Sequence, residues 1–332
     1  MPLLTDLDAR ILDDWQRHFP LVPEPFRAMA EALDVDQGVV LARLTQLRAT
    51  GTMARVGATC RPNTVGASSL AAMAVPDWRV EEVAAIISAE PGVNHSYLRE
   101  NDWNIWFVVT APDLAERDAI VARIEAASGL EVLMLPLKRA LNIDLGFALG
   151  GPRHALSLDR PADLSVLEAG DRALLQALTD GLDLVARPYA ALGARLGLSE
   201  AAVLARIETL TRARIITRLG VIVRHRALGW RSNAMVAWNL PDERIGAAGQ
   251  ALVRHPGVTL CYERARRPKW DYPLFCMIHA RSRREAFEVL EGAAALPELA
   301  GASKQVLFSI RCFKQTGALL AGPGAASGLA AE

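Results

Sequence analysis

Three stretches of the chain concentrate side chains that grip carboxylates, move protons or cover a flat apolar face. One is Val223-Arg-His-Arg-Ala-Leu-Gly-Trp230. The second is Gly257-Val-Thr-Leu-Cys-Tyr-Glu-Arg-Ala-Arg-Arg-Pro-Lys-Trp-Asp-Tyr-Pro-Leu-Phe275. The third, Gly92-Val-Asn-His-Ser-Tyr-Leu-Arg-Glu-Asn-Asp-Trp-Asn-Ile-Trp-Phe107, is its earlier counterpart. Between Arg254 and Lys269 five cations (Arg254, Arg264, Arg266, Arg267, Lys269) face one acid, Glu263. Guanidinium forks suit planar anions, and the interleaved aromatic residues favour anion binding over a solvated loop face. Imidazole titrates near neutrality and can give a proton to carbon. His225, flanked by Arg224 and Arg226, and His95, beside Tyr97 and Arg99, are the candidates for that role.

These residues sit in a duplicated chain. Asp8-Ala-Arg-Ile-Leu12 recurs 163 residues later as Asp171-Arg-Ala-Leu-Leu175, and Val40-Leu-Ala-Arg-Leu44 as Val203-Leu-Ala-Arg-Ile207. Arg55-Val-Gly57 likewise matches Arg218-Leu-Gly220. Pro91-Gly-Val93 and Tyr97 match Pro256-Gly-Val258 and Tyr262 at an offset of 165. In this register His225 aligns with Pro62 and His95 with Leu260, so each half offers an imidazole that the other lacks. The other histidines read differently. His279 alternates with buried strand residues and reads as structural, His255 as a helix-end cap and His154 as a solvated linker residue, while His18 carries no signal. Tyr97 and Tyr262 occupy equivalent strand positions that hydrogen-bond a carboxylate or fill the sheet. Trp103, Trp106, Trp230, Trp238 and Trp270 read first as core, with Trp230 and Trp270 also available to face a ligand.

Each half opens with three short helices. In the second these are Asp171–Thr179, Pro188–Leu196 with Pro at the first helical turn, and a helix through Leu210 that Ser199 caps. Leu196-Gly-Leu-Ser199 makes the tight corner of a helix-turn-helix, and the β-branched run Ile215–Val223 reads as a wing and first strand. In the first half strands follow at Ser69–Val75, Val93–Arg99, Trp103–Thr110 and Glu131–Leu137, with helices at Val80–Glu90 and Leu114–Ala127. That β-α-β-β-α-β order is ferredoxin-like. The fold class is therefore α+β, a tandem duplication of a winged helix-turn-helix plus a ferredoxin-like domain. The expected boundaries are 1–57 and 58–147, a linker at 148–165, then 166–220 and 221–315, and a flexible tail at 316–332.

Composition narrows the function. The 332 residues carry 37 Lys+Arg against 37 Asp+Glu, so the chain lacks the basic excess of a sequence-blind nucleic-acid binder. No apolar run approaches the roughly 18 residues of a membrane span, and the N-terminus lacks a signal-peptide layout. Cys60, Cys261, Cys276 and Cys312 form no CxxC pair, so neither disulfides nor zinc is indicated. A cytoplasmic protein without GxGxxG or a Walker loop is expected.

The domain pair resembles the Lrp/AsnC family of transcription regulators in both halves. A regulator reads DNA with cations early on the third helix. Here Asp36-Gln-Gly-Val-Val and Ser199-Glu-Ala-Ala-Val open those helices, and Arg43 and Arg206 come late. DNA binding is thus the alternative reading. The N-H-x-Y-x-R-E and W-N-x-W-F stretches of the first half, and R-H-R-x-x-G-W, C-Y-x-R and W-x-Y-x-L-F-x-M-I-H of the second, resemble instead the two subunit types of the siroheme decarboxylases, here fused. The resemblance implies siroheme as substrate and loss of CO2 from its ring C and D acetates, giving 12,18-didecarboxysiroheme in haem d1 or alternative haem synthesis. It implies no cofactor beyond the substrate's own iron. His225 and His95 would donate protons or contact that iron. Arg224, Arg226, Arg264, Arg266, Arg267, Lys269, Arg99, Tyr262, Tyr97, Trp230 and Trp270 would bind the macrocycle. An intramolecular pseudo-dimer is implied, with a homodimer of such chains as a further option and with two related pockets. Of these, the first-half pocket would be the weaker, because Glu100 and Asp102 would repel carboxylates.

Overall fold

The computed structural model describes residues 4–142 and 160–321. Residues 148–159 of the expected linker, with His154, and residues 322–332 of the expected tail lie outside the described residues. Two helical triplets come first in their halves: α1 (Asp6–Asp14), α2 (Pro25–Leu33) and α3 (Gln37–Ala49), then α6 (Asp171–Asp180), α7 (Pro188–Leu196) and α8 (Glu200–Arg212). Thr5 and Asp8 form a reciprocal capping box on α1, and the Ser199 hydroxyl accepts from Ala202 N on α8. Each triplet is followed by one strand, β1 (Met53–Cys60) or β6 (Ile216–Val223).

The expected wing is not a hairpin. β1 and β6 pair with each other, antiparallel, with Gly57 opposite Gly220. A pseudo-twofold axis therefore passes through that glycine pair, and the two helical triplets share one apolar core from Ile11 and Leu44 to Leu174 and Ile207. β1 and β6 also run through the expected boundaries at 57 and 220.

The ferredoxin-like parts are β2 (Ala67–Met73), α4 (Val80–Ala89), β3 (Val93–Arg99), β4 (Ile105–Ala111), α5 (Leu114–Ser128) and β5 (Leu133–Asn142), then β7 (Ser232–Asn239), α9 (Asp242–Arg254), β8 (Val258–Arg264), β9 (Leu274–Ala280), α10 (Arg283–Ala294) and β10 (Ser303–Gln315). The eight strands close into one barrel, β10-β3-β4-β2-β5-β8-β9-β7. Two long strands make the closure. β5 pairs with β2 over Leu133–Pro136 and with β8 over Leu137–Asn142. β10 pairs with β7 over Ser303–Phe308 and with β3 from Ser309 to Gln315. The strand expected to end at Leu137 continues to Asn142, and in the barrel Lys138 and Arg139 both bond Glu263 of β8.

Helices α4 and α5 cover the outer face of one half, and α9 and α10 that of the other. The period-2 alternation sends Leu70, Trp106, Met235 and Phe275 to the barrel interior. Residues 316–321, expected in a loose tail, are tied down: Thr316 N donates to Asn94 O (2.7 Å), Leu320 N donates to Gln176 Oε1 (2.7 Å), and Leu320 is buried. No helix among the described residues is long and apolar enough to cross a membrane.

The glycine pair makes the central packing possible. The end of α1 from one half lies on β6 of the other, where Val221 N donates to Trp15 O (2.7 Å) and Phe19 N to Leu219 O. A Cβ at Gly220 would collide with the backbone oxygens of Trp15 and Gln16, whereas one at Gly170, with a right-handed backbone, would meet nothing. Gly220→Ala is therefore expected to lower unfolding stability by more than about 2 kcal/mol in urea titration. Gly170→Ala is expected to stay within about 0.5 kcal/mol of wild type, and equal losses in both variants would contradict the packing described.

Candidate active site

Between the β1–β6 ribbon and the barrel lies a cavity of roughly 420 Å3, lined by both halves. Its floor is apolar. Trp106 packs edge-on against Trp270 at 5.1 Å between ring centres, and Phe275 lies behind them. Its walls and roof are cationic. Arg55 and Arg218 project from the same face of the ribbon, because they stand two residues from Gly57 and Gly220 in the antiparallel register. Arg99 and Arg264 end the equivalent barrel strands β3 and β8 and also line the cavity. The described lining contains no Asp or Glu.

These guanidiniums are held in place with donors to spare. Arg99 Nη1 donates to Leu307 O (3.1 Å) and Arg264 Nη1 to Leu135 O (2.9 Å), an interaction repeated across the pseudo-twofold axis. Arg99 stacks over Tyr97 at 5.4 Å and Arg264 over Tyr262 at 5.3 Å. The Nε atoms of Arg55, Arg99, Arg218 and Arg264, and Nη1 of Arg218, are buried without a hydrogen-bond partner. Burial pushes Arg99 and Arg264 down to about 10. Arg218 falls to about 9, through burial and then the like charges of Arg17 and Arg55. Buried donors without acceptors are costly, and an anion in the cavity would supply the acceptors.

The two candidate imidazoles face the same cavity. His95 is pushed down to about 4 by burial and by Arg55, and His225 to about 4 by burial, Arg226 and His95. Both are therefore neutral at pH 7 in the free cavity, not poised near neutrality as their ordinary value suggests. Their equivalents Leu260 and Pro62 also line it. The expectation of two related pockets gives way to one cavity shared across the pseudo-twofold axis, because barrel closure turns both inner faces toward each other. Glu100 does not repel a ligand there. It is paired outside with Arg283 through two bonds of 2.6 and 2.7 Å.

Tyr97, Tyr262, Arg99, Arg224 and Arg264 line the cavity with the two histidines. Arg226, adjoining, bonds Ser309 Oγ at 2.9 Å. The cationic loop behaves otherwise. Arg266 is held by Asp242, Asp271, Asn239 and Leu240 O, Arg267 bonds Met134 O, and Lys269 pairs with Glu131. These three fasten the loop outside the cavity: the distant Asp242 and Glu131 and the loop's own Asp271 hold Arg266 and Lys269, and Arg267 bonds a carbonyl. Trp230 stacks with Arg281 away from the lining, and Trp270 is a core residue beneath the floor. Sequence reasoning passed over Arg55, Arg218, Asn233 and His279. The first two carried a signal, an arginine retained in both copies two residues before the axial glycine. His279, read as structural, faces the cavity on the same side of β9 as Phe275 and Met277, and its ring meets that of His225 at 4.7 Å.

Comparison with known proteins follows the same division. Residues 65–142 and 227–314 match the AsnC-like ligand binding domain, and residues 8–53 and 171–216 the siroheme decarboxylase NirDL-like HTH domain. The siroheme decarboxylase NirDL subunit of Paracoccus denitrificans is 61% identical over 319 residues, 96% of this chain and 98% of that one. The chain belongs to the siroheme decarboxylase NirDL family. A siroheme decarboxylase NirD subunit of Stutzerimonas stutzeri is 51% identical over 146 residues, 44% of this chain and 96% of its own. This NirDL member is accordingly a fusion of NirD- and NirL-like parts. The crystal structure of a siroheme decarboxylase NirDL with an iron-uroporphyrin III analogue has the same fold, with a TM-score of 0.67 at 24% identity over 95% of this chain and 94% of that one.

The late arginines of the third helices are engaged within the protein. Arg43 Nε donates to the buried Asp8 at 2.8 Å, and Arg206 Nε to the buried Asp171 at 2.6 Å. They tie third helix to first, at the expense of any phosphate contact. Arg55, Arg99, Arg218 and Arg264 are a different case, since each keeps a buried Nε without a hydrogen-bond partner. Removing one should stabilise the empty protein. Arg218→Met is expected to raise unfolding stability by about 1–3 kcal/mol while weakening binding of a carboxylate-bearing porphyrin. A stability loss together with unchanged binding would mean that Arg218 is structural.

Proposed function

We propose that the chain binds siroheme in the barrel cavity and removes CO2 from its ring C and D acetates, giving 12,18-didecarboxysiroheme. The observation that carries this reading is a set of buried guanidiniums and imidazoles in a cavity with no carboxylate in its described lining. A macrocycle edged with carboxylates supplies the missing acceptors, and the apolar floor suits its face. The iron enters as part of the substrate.

Breaking the bond between the acetate methylene and its carboxylate leaves an electron pair that must enter the ring. Protonation of the ring carbon next to the one bearing the acetate makes the ring the acceptor, because the released pair can then form a double bond between the bearing carbon and the methylene. After CO2 departs, a proton adds to the former methylene carbon and the ring carbon gives its proton back, so one proton is consumed per acetate. The neutral imidazoles of His95 and His225 are poor acids in the free cavity. Incoming carboxylates offset the arginine field and raise both, so protons are taken up as substrate binds. Affinity then rises as pH falls from neutrality toward about 4, the free-cavity value of both groups. The apolar floor weakens solvation of the reacting carboxylate. In this reading one chain is the catalytic unit, because both seams of the barrel close within it. Its free cysteines fit a reducing, cytoplasmic setting, and a homodimer would add nothing to the cavity.

Anaerobic incubation with siroheme, followed by mass spectrometry, should show loss of two CO2. His225→Ala should keep the fold and lose turnover. Arg264→Ala should raise the substrate Kd on the order of tenfold or more, the cost of a lost charged fork, while Lys269→Ala should match wild type. Unchanged siroheme with an intact fold would overturn the reading, and wild-type turnover in His225→Ala would remove that residue from it.

A further inference from the structure

Arg99 and Arg264 are equivalent across the pseudo-twofold axis, yet their surroundings differ at one place. Asn233 lies opposite His279 in the β7–β9 register, where the first half has Ser68 opposite Thr110. Arg99 Nη1 donates to Asn233 Oδ1 at 3.1 Å. Asn233 Nδ2 lies 2.6 Å from His279 Nε2, and His279 Nδ1 lies 2.7 Å from Thr259 Oγ1. The Thr259 hydroxyl in turn donates to Met277 O at 3.0 Å. Asn233, Thr259 and His279 are all nearly inaccessible.

Both ends of this chain are fixed. The guanidinium only donates and the carbonyl only accepts, so every intervening donor has one allowed direction. Thr259 spends its hydrogen on Met277 and must accept from His279 Nδ1–H. His279 Nε2 is then bare and must accept from the Asn233 amide, which turns the amide oxygen toward Arg99. The first half builds nothing similar: Ser68 Oγ bonds Asn63, and Thr110 Oγ1 bonds Gly92 O.

We propose that Thr259, His279 and Asn233 form a positioning relay that orients Arg99, and not Arg264, so that a pseudo-symmetric cavity offers its ligand two unlike ends. Thr259 is not among the described residues lining the cavity, so it acts on a ligand only through the relay. The proposal uses the assignment of this cavity to a carboxylate-bearing tetrapyrrole, and its test separates the two. Iron uroporphyrin III serves as a non-reacting probe. Thr259→Val, nearly isosteric, should raise the probe's Kd about fivefold, as expected for one misdirected buried hydrogen bond. Thr259→Ser should restore it, and in an Arg99→Ala background Thr259→Val should add nothing. In an Arg264→Ala background the effect should persist in full. A ligand-free readout stands beside this one. Nitrogen NMR of labelled histidine, assigned by loss of signal in His279→Gln, should show His279 as the neutral Nδ1–H tautomer, changed in Thr259→Val. If Thr259→Val does not fold, Asn233→Ser replaces it in the binding series, with the same expectation against Arg99→Ala. Wild-type protein that fails to bind the probe counts against the proposed function. An Nε2–H tautomer or imidazolium at neutral pH, or a Thr259→Val effect fully additive with Arg99→Ala, overturns the relay alone.

Discussion

Everything in this molecule depends on what happens at the edges of two small sheets. A ferredoxin-like sheet ends in two strands whose outer backbone groups need partners. Here β5 and β10 each outrun their own sheet and cross to the other half, and closure leaves no edge among the eight strands. Closure has a second effect. The inner faces, which in a single sheet would look outward, now look at each other. Side chains from β3 and β8 meet in one interior, with the β1–β6 ribbon as its roof. The axial glycines Gly57 and Gly220 let that ribbon and the helix ends approach closely enough to share one core.

The interior is built against its own stability. Buried guanidiniums without acids, and imidazoles pushed neutral beside them, are arrangements that folding alone would not favour. Elsewhere in the chain buried charge is matched: Asp8 holds Arg43, and Asp171 holds Arg206. The contrast shows that the cavity's imbalance is local. In the proposed function a polyanionic ligand would relieve it, and the field that lowers the empty-state imidazoles would make their protonation conditional on that ligand.

Much of this was legible in the residues. The 163-residue offset exposed the duplication, and the capping residue Ser199, Pro188 and the strand at Val93–Arg99 fall where pattern reading places them. Local signals suffice there because each element is set by its own caps and periodicity. His95 and His225 are complementary in the 163–165 register, and both face the cavity. What was not legible depends on contacts distant in sequence. The cations at Arg266 and Lys269 look available until Asp242 and Glu131 arrive from other elements, joining Asp271 of their own loop. The ribbon looks like two separate wings, because nothing within either half shows that its strand partner lies in the other. Asn233 and His279 look like ordinary strand residues until β7 and β9 are placed side by side.

The central claim is that both halves build one carboxylate-binding cavity. Its most direct test is a calorimetric titration with iron uroporphyrin III of wild-type protein and of Arg99→Ala and Arg264→Ala, one arginine from each half. The account predicts one tight site per chain, weakened by either substitution. Two tight sites, each lost with only one of the substitutions, would contradict it.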